Sequence, residues 1–286
     1  MPRWYKDLGT RDGCTRVALT QAVVFAVLQG LAAVFPVGVS AHFALLAAFT
    51  NWPLPTAVSA VAAQGGVILA LLAYFWSDLF DMAAGVVRAA KGKRDPGARL
   101  AAQILVAGIA TAALMFVIDR YAGDAAESLI WIGWLSVGGG ASLLVLDRMS
   151  MTVKRVDHAT FADAVLLGLA QAIALFPHMR SAGAPVTVGR LLGYERDEAV
   201  RLSMLSAALP LIGMLAKTLI DAHGSGAPIE FGRTDLIAGG VSFVMALASL
   251  ATLMTWLKRS SFTPFAVYRL LVGTAVLVLA YGAIEL

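Results

Sequence analysis

The sequence predicts an all-α polytopic membrane protein with two inverted-topology repeats, each a re-entrant helical hairpin plus three transmembrane helices. Three observations carry this reading. The 286-residue chain is 59% hydrophobic and only 14% charged, whereas soluble domains carry about a quarter charged residues. Its apolar runs suit helical crossings, which need ~20 residues each, and lack the period-two alternation of an outer-membrane barrel. Two of the runs are broken near their middle by Pro and Gly, and these two resemble each other.

Six runs read as full crossings: Pro55–Leu79, Leu100–Ile118, Ser128–Leu146, Val200–Ile220, Leu236–Leu257 and Pro264–Ile284. The broken regions are Val17–Phe49, interrupted at Pro36-Val37-Gly38, and Ala159–Leu192, interrupted at Pro177 and at Gly183-Ala184-Pro185. Each reads as two half-helices, because irregular backbone at membrane depth is tolerated only where protein or a water-filled cavity covers it. The N-terminal segment carries Arg3, Lys6, Asp7, Arg11, Asp12 and Arg16 but no short apolar region with an A-x-A site, so it does not read as a cleavable signal. With Trp4 and Tyr5 it suits the membrane interface. Cys14 is the only cysteine, which excludes an intrachain disulfide and a thiolate metal cluster.

Loop charges set the topology. If each broken region returns to the side it came from, three basic loops share one face. They hold Arg88, Lys91, Lys93, Arg94 and Arg99, then Arg148, Lys154 and Arg155, then Lys258 and Arg259. The positive-inside rule makes that face cytoplasmic and accounts for the pI of 9.4 without nucleic-acid binding. The opposite loops, with Asp119, Arg120, Asp124 and Glu127, then Asp221, Glu230, Arg233 and Asp235, are balanced or acidic. Only the basic N-terminal segment, placed outside, runs against the rule. The chain is then a single membrane domain over 1–286, with repeat one about 17–147 and repeat two about 159–286. An odd number of crossings per half inverts the second half, the plan of many transporters, whose sites lie between the broken elements.

Four stretches carry a family resemblance. The first is Leu28-Gln29-Gly30-Leu31, followed by Phe35-Pro36-Val37 and Ser40-Ala41-His42. The second starts at Gln64-Gly65-Gly66 and runs to Phe75-Trp76-Ser77-Asp78-Leu79. The third is Asp163 to Pro177, including Gln171, followed by Glu198-Ala199-Val200-Arg201 and Pro210. The fourth is Pro264 to Gly273, including Tyr268-Arg269. Together, over nearly the whole chain, they resemble the bacterial undecaprenyl-diphosphate phosphatase family, which acts on the polyprenyl carrier lipid of the cell envelope. That family's fold, two inverted repeats each with a re-entrant hairpin, agrees with the loop charges.

The motifs depart from the family's pattern. Its first motif reads Glu/Gln-Gly-Leu-Thr-Glu-Phe-Leu-Pro-Val-Ser-Ser-Ser/Thr-Gly-His. Here Gln29 fills the first position, Ala33 replaces the second glutamate, and Gly38 and Val39 replace two serines, while Ser40 and His42 remain. The second motif, Pro-Gly-x-Ser-Arg-Ser-Gly, becomes Pro177-His178-Met179-Arg180-Ser181-Ala182-Gly183, with the arginine moved by one residue. Neither hairpin motif holds Asp or Glu, so a hard cation lacks its preferred oxygen ligands. Phosphate binding remains: Arg180 offers a planar fork of donors, joined by Ser181, His178, Gln29, His42, Ser40 and Gln171.

The resemblance and its departures imply a bacterial inner-membrane, multi-pass protein that binds a polyprenyl phosphate or diphosphate. Two functions follow. The first is a non-hydrolytic role in lipid-carrier translocation or recycling, flippase-like, with Arg180 as counter-charge and no cofactor. The alternative is an active phosphatase with a rearranged site, in which Ser40 or water attacks, His42 is the base, and Mg or Ca assists. The expected partners are the lipid, the membrane and a second copy in a homodimer. Gly138-Gly139-Gly140 reads as close helix packing, Arg269 with Tyr268 as an interfacial anchor, and Arg201 with Asp197 and Glu198 as a structural cluster at a helix start.

Overall fold

A computed structural model of the chain describes residues 19–50, 52, 55–121, 129–150, 153–175, 183–224 and 231–282. The regular structure among them is helical. The first half holds α1 (Leu19–Val34), α2 (Val39–Thr50), α3 (Ala57–Tyr74), α4 (Trp76–Ala90), α5 (Pro96–Tyr121) and α6 (Leu129–Met149). The second holds α7 (Phe161–Leu175), α8 (Gly183–Leu191), α9 (Arg196–Gly224), α10 (Arg233–Leu257) and α11 (Thr263–Gly282). Helices α5, α6, α9, α10 and α11 are long and apolar enough to cross a membrane, and α3 with α4 makes a further candidate, bent by 69°.

Helix ends lie outside the apolar windows because capping, not hydropathy, sets them. Helix α5 starts at Pro96 rather than Leu100: Asp95 Oδ1 accepts from Gly97 N at 2.9 Å, and a proline in the first position has no N–H to leave unpaired. Helix α9 starts at Arg196, with Asp197 and Glu198 in its first turn, where the helix dipole favours negative charge. The crossing expected over Pro55–Leu79 stops at Tyr74, and α4 turns aside. Trp76, Phe80 and Val87 form an exposed apolar stripe on α4, and the bend keeps that stripe from running on into water.

The two broken regions form paired short helices. Phe25 of α1 and Phe43 of α2 meet edge to face, with ring centroids 5.4 Å apart, so α2 folds back along α1. The connecting turn uses Gly38 at φ 87°, a left-handed conformation that costs glycine little. In the second pair, Tyr194, just beyond α8, donates its hydroxyl to Asp163 Oδ2 near the start of α7 at 2.7 Å. The outer ends of α7 and α8 therefore meet. Burial and this hydrogen bond raise the Tyr194 phenol well above its ordinary range.

Helix pairings exchange between the halves. Helix α1 packs on α3 and α10, while α7 packs on α9 and α5. Helix α2 packs on α11, α8 on α6, and α6 and α11 on each other. Backbones approach closely where α3 meets α10: a Cβ added to Gly66 would lie 2.2 Å from Gly239 O.

One end of the bundle is tied by a buried polar layer. Asp147, at the end of α6, is 2% exposed and Arg190, at the end of α8, 1%. Arg190 Nε donates to Asp147 Oδ1 at 3.0 Å and Arg196 Nε to the same oxygen at 2.9 Å. The backbone N–H of Phe262, between α10 and α11, donates to Asp147 Oδ2 at 3.1 Å. Arg201 of α9 pairs with Asp78 of α4, and Glu198 Oε2 accepts from Val156 N at 2.8 Å. Arg99 Nη2 and Gln103 Nε2 of α5 both donate to Ala159 O, at 3.0 and 2.6 Å. The three basic loops thus gather at one end, and Arg201 takes the structural role its neighbours suggested.

Two outcomes follow. Replacing Asp147 with Ala leaves buried Arg190 without its counter-charge and should destabilise the protein by about 3–5 kcal/mol, seen as a lowered thermal unfolding midpoint in detergent. At the α4–α5 turn, Arg88 Nε donates to Asp95 Oδ2 at 2.5 Å. This contact, helped by the Gly97 amide, holds the Asp95 carboxyl below the usual carboxylate range. A depressed pKa stabilises the fold above the unfolded value, ~3.9, and that contribution is lost as pH falls through the folded value. Amide protection at residues 91–99, taken relative to the intrinsic exchange rate at each pH, should therefore fall on acidification below about pH 4, and less so in Asp95→Asn.

Candidate functional site

A cavity of about 210 Å³ lies where the inner ends of the two short helix pairs converge on α3 and α9. Helical spacing decides what faces it. On α1, Gln29 and Ala33 are four residues apart and share a face. On α7, Gln171 and Leu175 have the same spacing, and Pro185 of α8 follows across the break. Helix α3 contributes Gln64 and Leu71, and α9 contributes a stripe from Ser203 to Thr218. Most of the lining is apolar, with a few amides and hydroxyls aimed inward, the usual composition of a small-molecule site.

The amides give the cavity its chemistry. Gln29 Nε2 donates to Gln64 Oε1 at 2.9 Å, and the residues are 4% and 8% exposed. Gln171 is 4% exposed, and its Oε1 meets no donor among the described residues. An unmet buried acceptor costs about 1–3 kcal/mol, so a donor supplied by a ligand or water fits there. Ser203 Oγ donates to Ala199 O at 2.6 Å, which leaves its oxygen lone pairs as acceptors. No carboxylate appears among the described lining residues, and no group of three or more His, Cys, Asp or Glu among the described residues could hold a metal ion.

The structure separates some residues that the sequence grouped. Gln29 and Gln171 meet at the cavity. His42 and Ser40 are absent from its lining. His42 instead faces α11: its Nδ1 lies 2.6 Å from Gly38 O and its Nε2 2.8 Å from Tyr268 Oη, with the rings stacked at 5.6 Å. A carbonyl only accepts, so Nδ1 carries a proton and a neutral ring accepts the Tyr268 hydroxyl proton at Nε2. Arg180, Ser181 and His178 lie in 176–182, outside the described residues. The chain on either side of that segment, at Leu175 and Pro185, lines the cavity.

Gln64 and Ser203 were not singled out from sequence as site residues. A glutamine beside Gly65-Gly66 in an apolar run was the available signal for the first; for the second it was a place in the third family stretch, two residues after Arg201. Arg269 also differs from expectation. It is 3% exposed, not an interfacial anchor, and its guanidinium occupies the space a side chain at Gly139 would need, with Nη2 2.4 Å from an added Cβ. Arg269 Nη2 donates to Leu135 O at 3.4 Å. The glycine run on α6 is therefore close packing, but around an arginine as well as a helix.

The family model described as "Bacitracin resistance protein BacA" matches residues 22–275. A Rhodospirillum rubrum protein named "Undecaprenyl-diphosphatase 1" is 40% identical over 270 residues, covering 92% of this chain and 95% of its own. A Paramagnetospirillum magneticum protein of the same name is 39% identical over 264 residues, covering 91% and 97%. "Undecaprenyl-diphosphatase" of Roseobacter denitrificans is 37% identical over 268 residues, covering 93% and 100%.

The Tyr268–His42 contact has a direct readout. In ¹⁵N spectra of histidine-labelled protein near neutral pH, His42 should show the Nδ1-protonated tautomer. Tyr268→Phe removes the Nε2 partner and should broaden or shift that ring's signals while leaving the other histidines in place.

Proposed function

Because the chain belongs to the bacitracin resistance protein BacA family, we propose that it is an undecaprenyl-diphosphate phosphatase of the bacterial inner membrane. The cavity supports this reading: it brings the first hairpin motif against the residues that flank the second, with polar groups facing inward from a mostly apolar wall. Curated relatives carrying the phosphatase name at up to 40% identity favour hydrolysis over a purely carrier-binding role. The polyprenyl tail stays in lipid and the diphosphate enters the cavity. Hydrolysis forms a bond from water to the terminal phosphorus and breaks the bridging P–O bond. Undecaprenyl phosphate and inorganic phosphate leave, and the water's protons pass to solvent or phosphate.

Positioning and charge stabilisation dominate such a reaction. Gln29, Gln64 and Gln171 supply amide donors and an acceptor for a protonated phosphate oxygen. Arg180, on the segment between the two lining helices, supplies the counter-charge, with Ser181 and His178 beside it. The lining of amides and hydroxyls suits Mg or Ca poorly, which leaves the arginine as the main cation. Ser40 and His42 stay candidates for nucleophile and base only if the Tyr268 contact opens. For the fold, we take repeats 17–147 and 159–286 to be inverted copies; the exchanged helix pairings support it.

One observation favours a second reading, non-hydrolytic binding and translocation of the same lipid: Ala33 lines the cavity where the family has a glutamate. Phosphate release from undecaprenyl diphosphate by purified protein, with and without Mg or Ca, separates the two. Turnover that falls about 10²–10³-fold in Arg180→Ala supports the phosphatase. Absent turnover, with saturable lipid binding that Arg180→Ala abolishes, supports the carrier. In either case Gln171→Leu should weaken binding about tenfold, by removal of a buried hydrogen-bonding group.

A further inference from the structure

Helix α4 and the turn after it stand apart from the cavity, and neither reading above uses them. Helix α4 is bent 69° from α3, so where α3 crosses along the bilayer normal α4 lies nearer the bilayer plane. Gly85 is its buried point, pressed against α5: an added Cβ would lie 2.5 Å from Ala98 N. The opposite face carries Trp76, Phe80 and Val87, which are 66%, 65% and 56% exposed. An amphipathic helix with an outward aromatic and aliphatic stripe rests in the interface with that stripe among acyl chains.

The turn that ends α4 holds exposed Lys91, Lys93 and Arg94. The nearby Arg88 is taken by Asp95, and Arg201 by Asp78 and Glu198. Among the described residues, Lys91, Lys93 and Arg94 take part in no ion pair. A cleft of about 920 Å³ beside the turn is lined by Lys93, Arg94, Arg99 and Arg201 together with Asp78, Asp81, Asp95 and Asp157. Asp78 and Asp95 are already paired, which leaves Asp81 and Asp157 facing Lys91, Lys93, Arg94 and Arg99, so positive charge is in excess around the turn. The same end of the bundle carries the other basic loops.

We propose that α4 and the Lys91–Arg94 turn form a binding site for anionic phospholipid head groups of the adjoining leaflet. The stripe sets the depth, and the three cations meet the phosphates. The charge complementarity is what selects lipid over a protein partner, since each basic residue near an anionic surface adds to binding and no matching acidic surface is needed.

Full-length protein in nanodiscs containing brominated phosphatidylglycerol or brominated phosphatidylcholine tests this, with Trp76 emission taken as the difference between wild type and Trp76→Phe. Phosphatidylglycerol should quench Trp76 more strongly at equal mole fraction. In Lys91→Gln/Lys93→Gln/Arg94→Gln, the preference should fall about tenfold, with the thermal midpoint unchanged because all three residues are exposed. Equal quenching by both lipids in the wild type, or a preference that survives in the triple variant, would overturn the proposal. Phosphate release is measured on the same samples: its loss alone would count against the phosphatase reading and not against this site.

Discussion

Asp147 holds the second helix pair in place. One buried carboxylate accepts from Arg190 at the end of α8, from Arg196 at the start of α9 and from the Phe262 amide between α10 and α11. A charge this deeply buried is tolerated only with partners, and the partners come from elements distant in sequence. Short helices such as α7 and α8 cannot span a bilayer, so their position depends on how their ends are anchored. The anchors are this carboxylate and the neighbouring Tyr194–Asp163 bond. The inner ends of the pair then point at α1, and the cavity exists because they do.

The same logic separates two kinds of polar residue in the chain. Those in the end layer are paired: Asp147, Arg190, Glu198, Arg201 and Asp78 satisfy one another or the backbone. Those at the cavity are only partly satisfied: Gln29 pairs with Gln64, while the Gln171 carbonyl oxygen meets no donor among the described residues. Saturated networks hold a structure rigid, and incomplete ones leave capacity for a ligand. His42 belongs with the first kind here, because both ring nitrogens are engaged.

Much of the architecture was legible in the sequence. Hydropathy marked the long helices, because lipid leaves no other solution for backbone polar groups than helix or closed barrel. Loop charge marked which loops share an end. The bend at Phe75 was not legible, because hydropathy averages over the junction while the α4 stripe shows only in a helical projection. Helix starts at Pro96 and Arg196 were missed for a related reason: caps lie in the polar sequence beyond the window. At the site, Gln29 and Gln171 stood out as amides in apolar runs, whereas Gln64 became a site residue only through its contact with Gln29.

By itself, the sequence determined the helical membrane class and the two broken segments. These follow from local composition and from the bilayer's intolerance of unpaired backbone. Only the tertiary structure decided that Gln29, Gln64 and Gln171 share a cavity while His42 turns to Tyr268, and that Arg269 is buried against Gly139. Those outcomes depend on which helix faces meet across long stretches of chain, set by close backbone contacts such as Gly66 on Gly239 and by buried charges seeking partners. No local pattern encodes them.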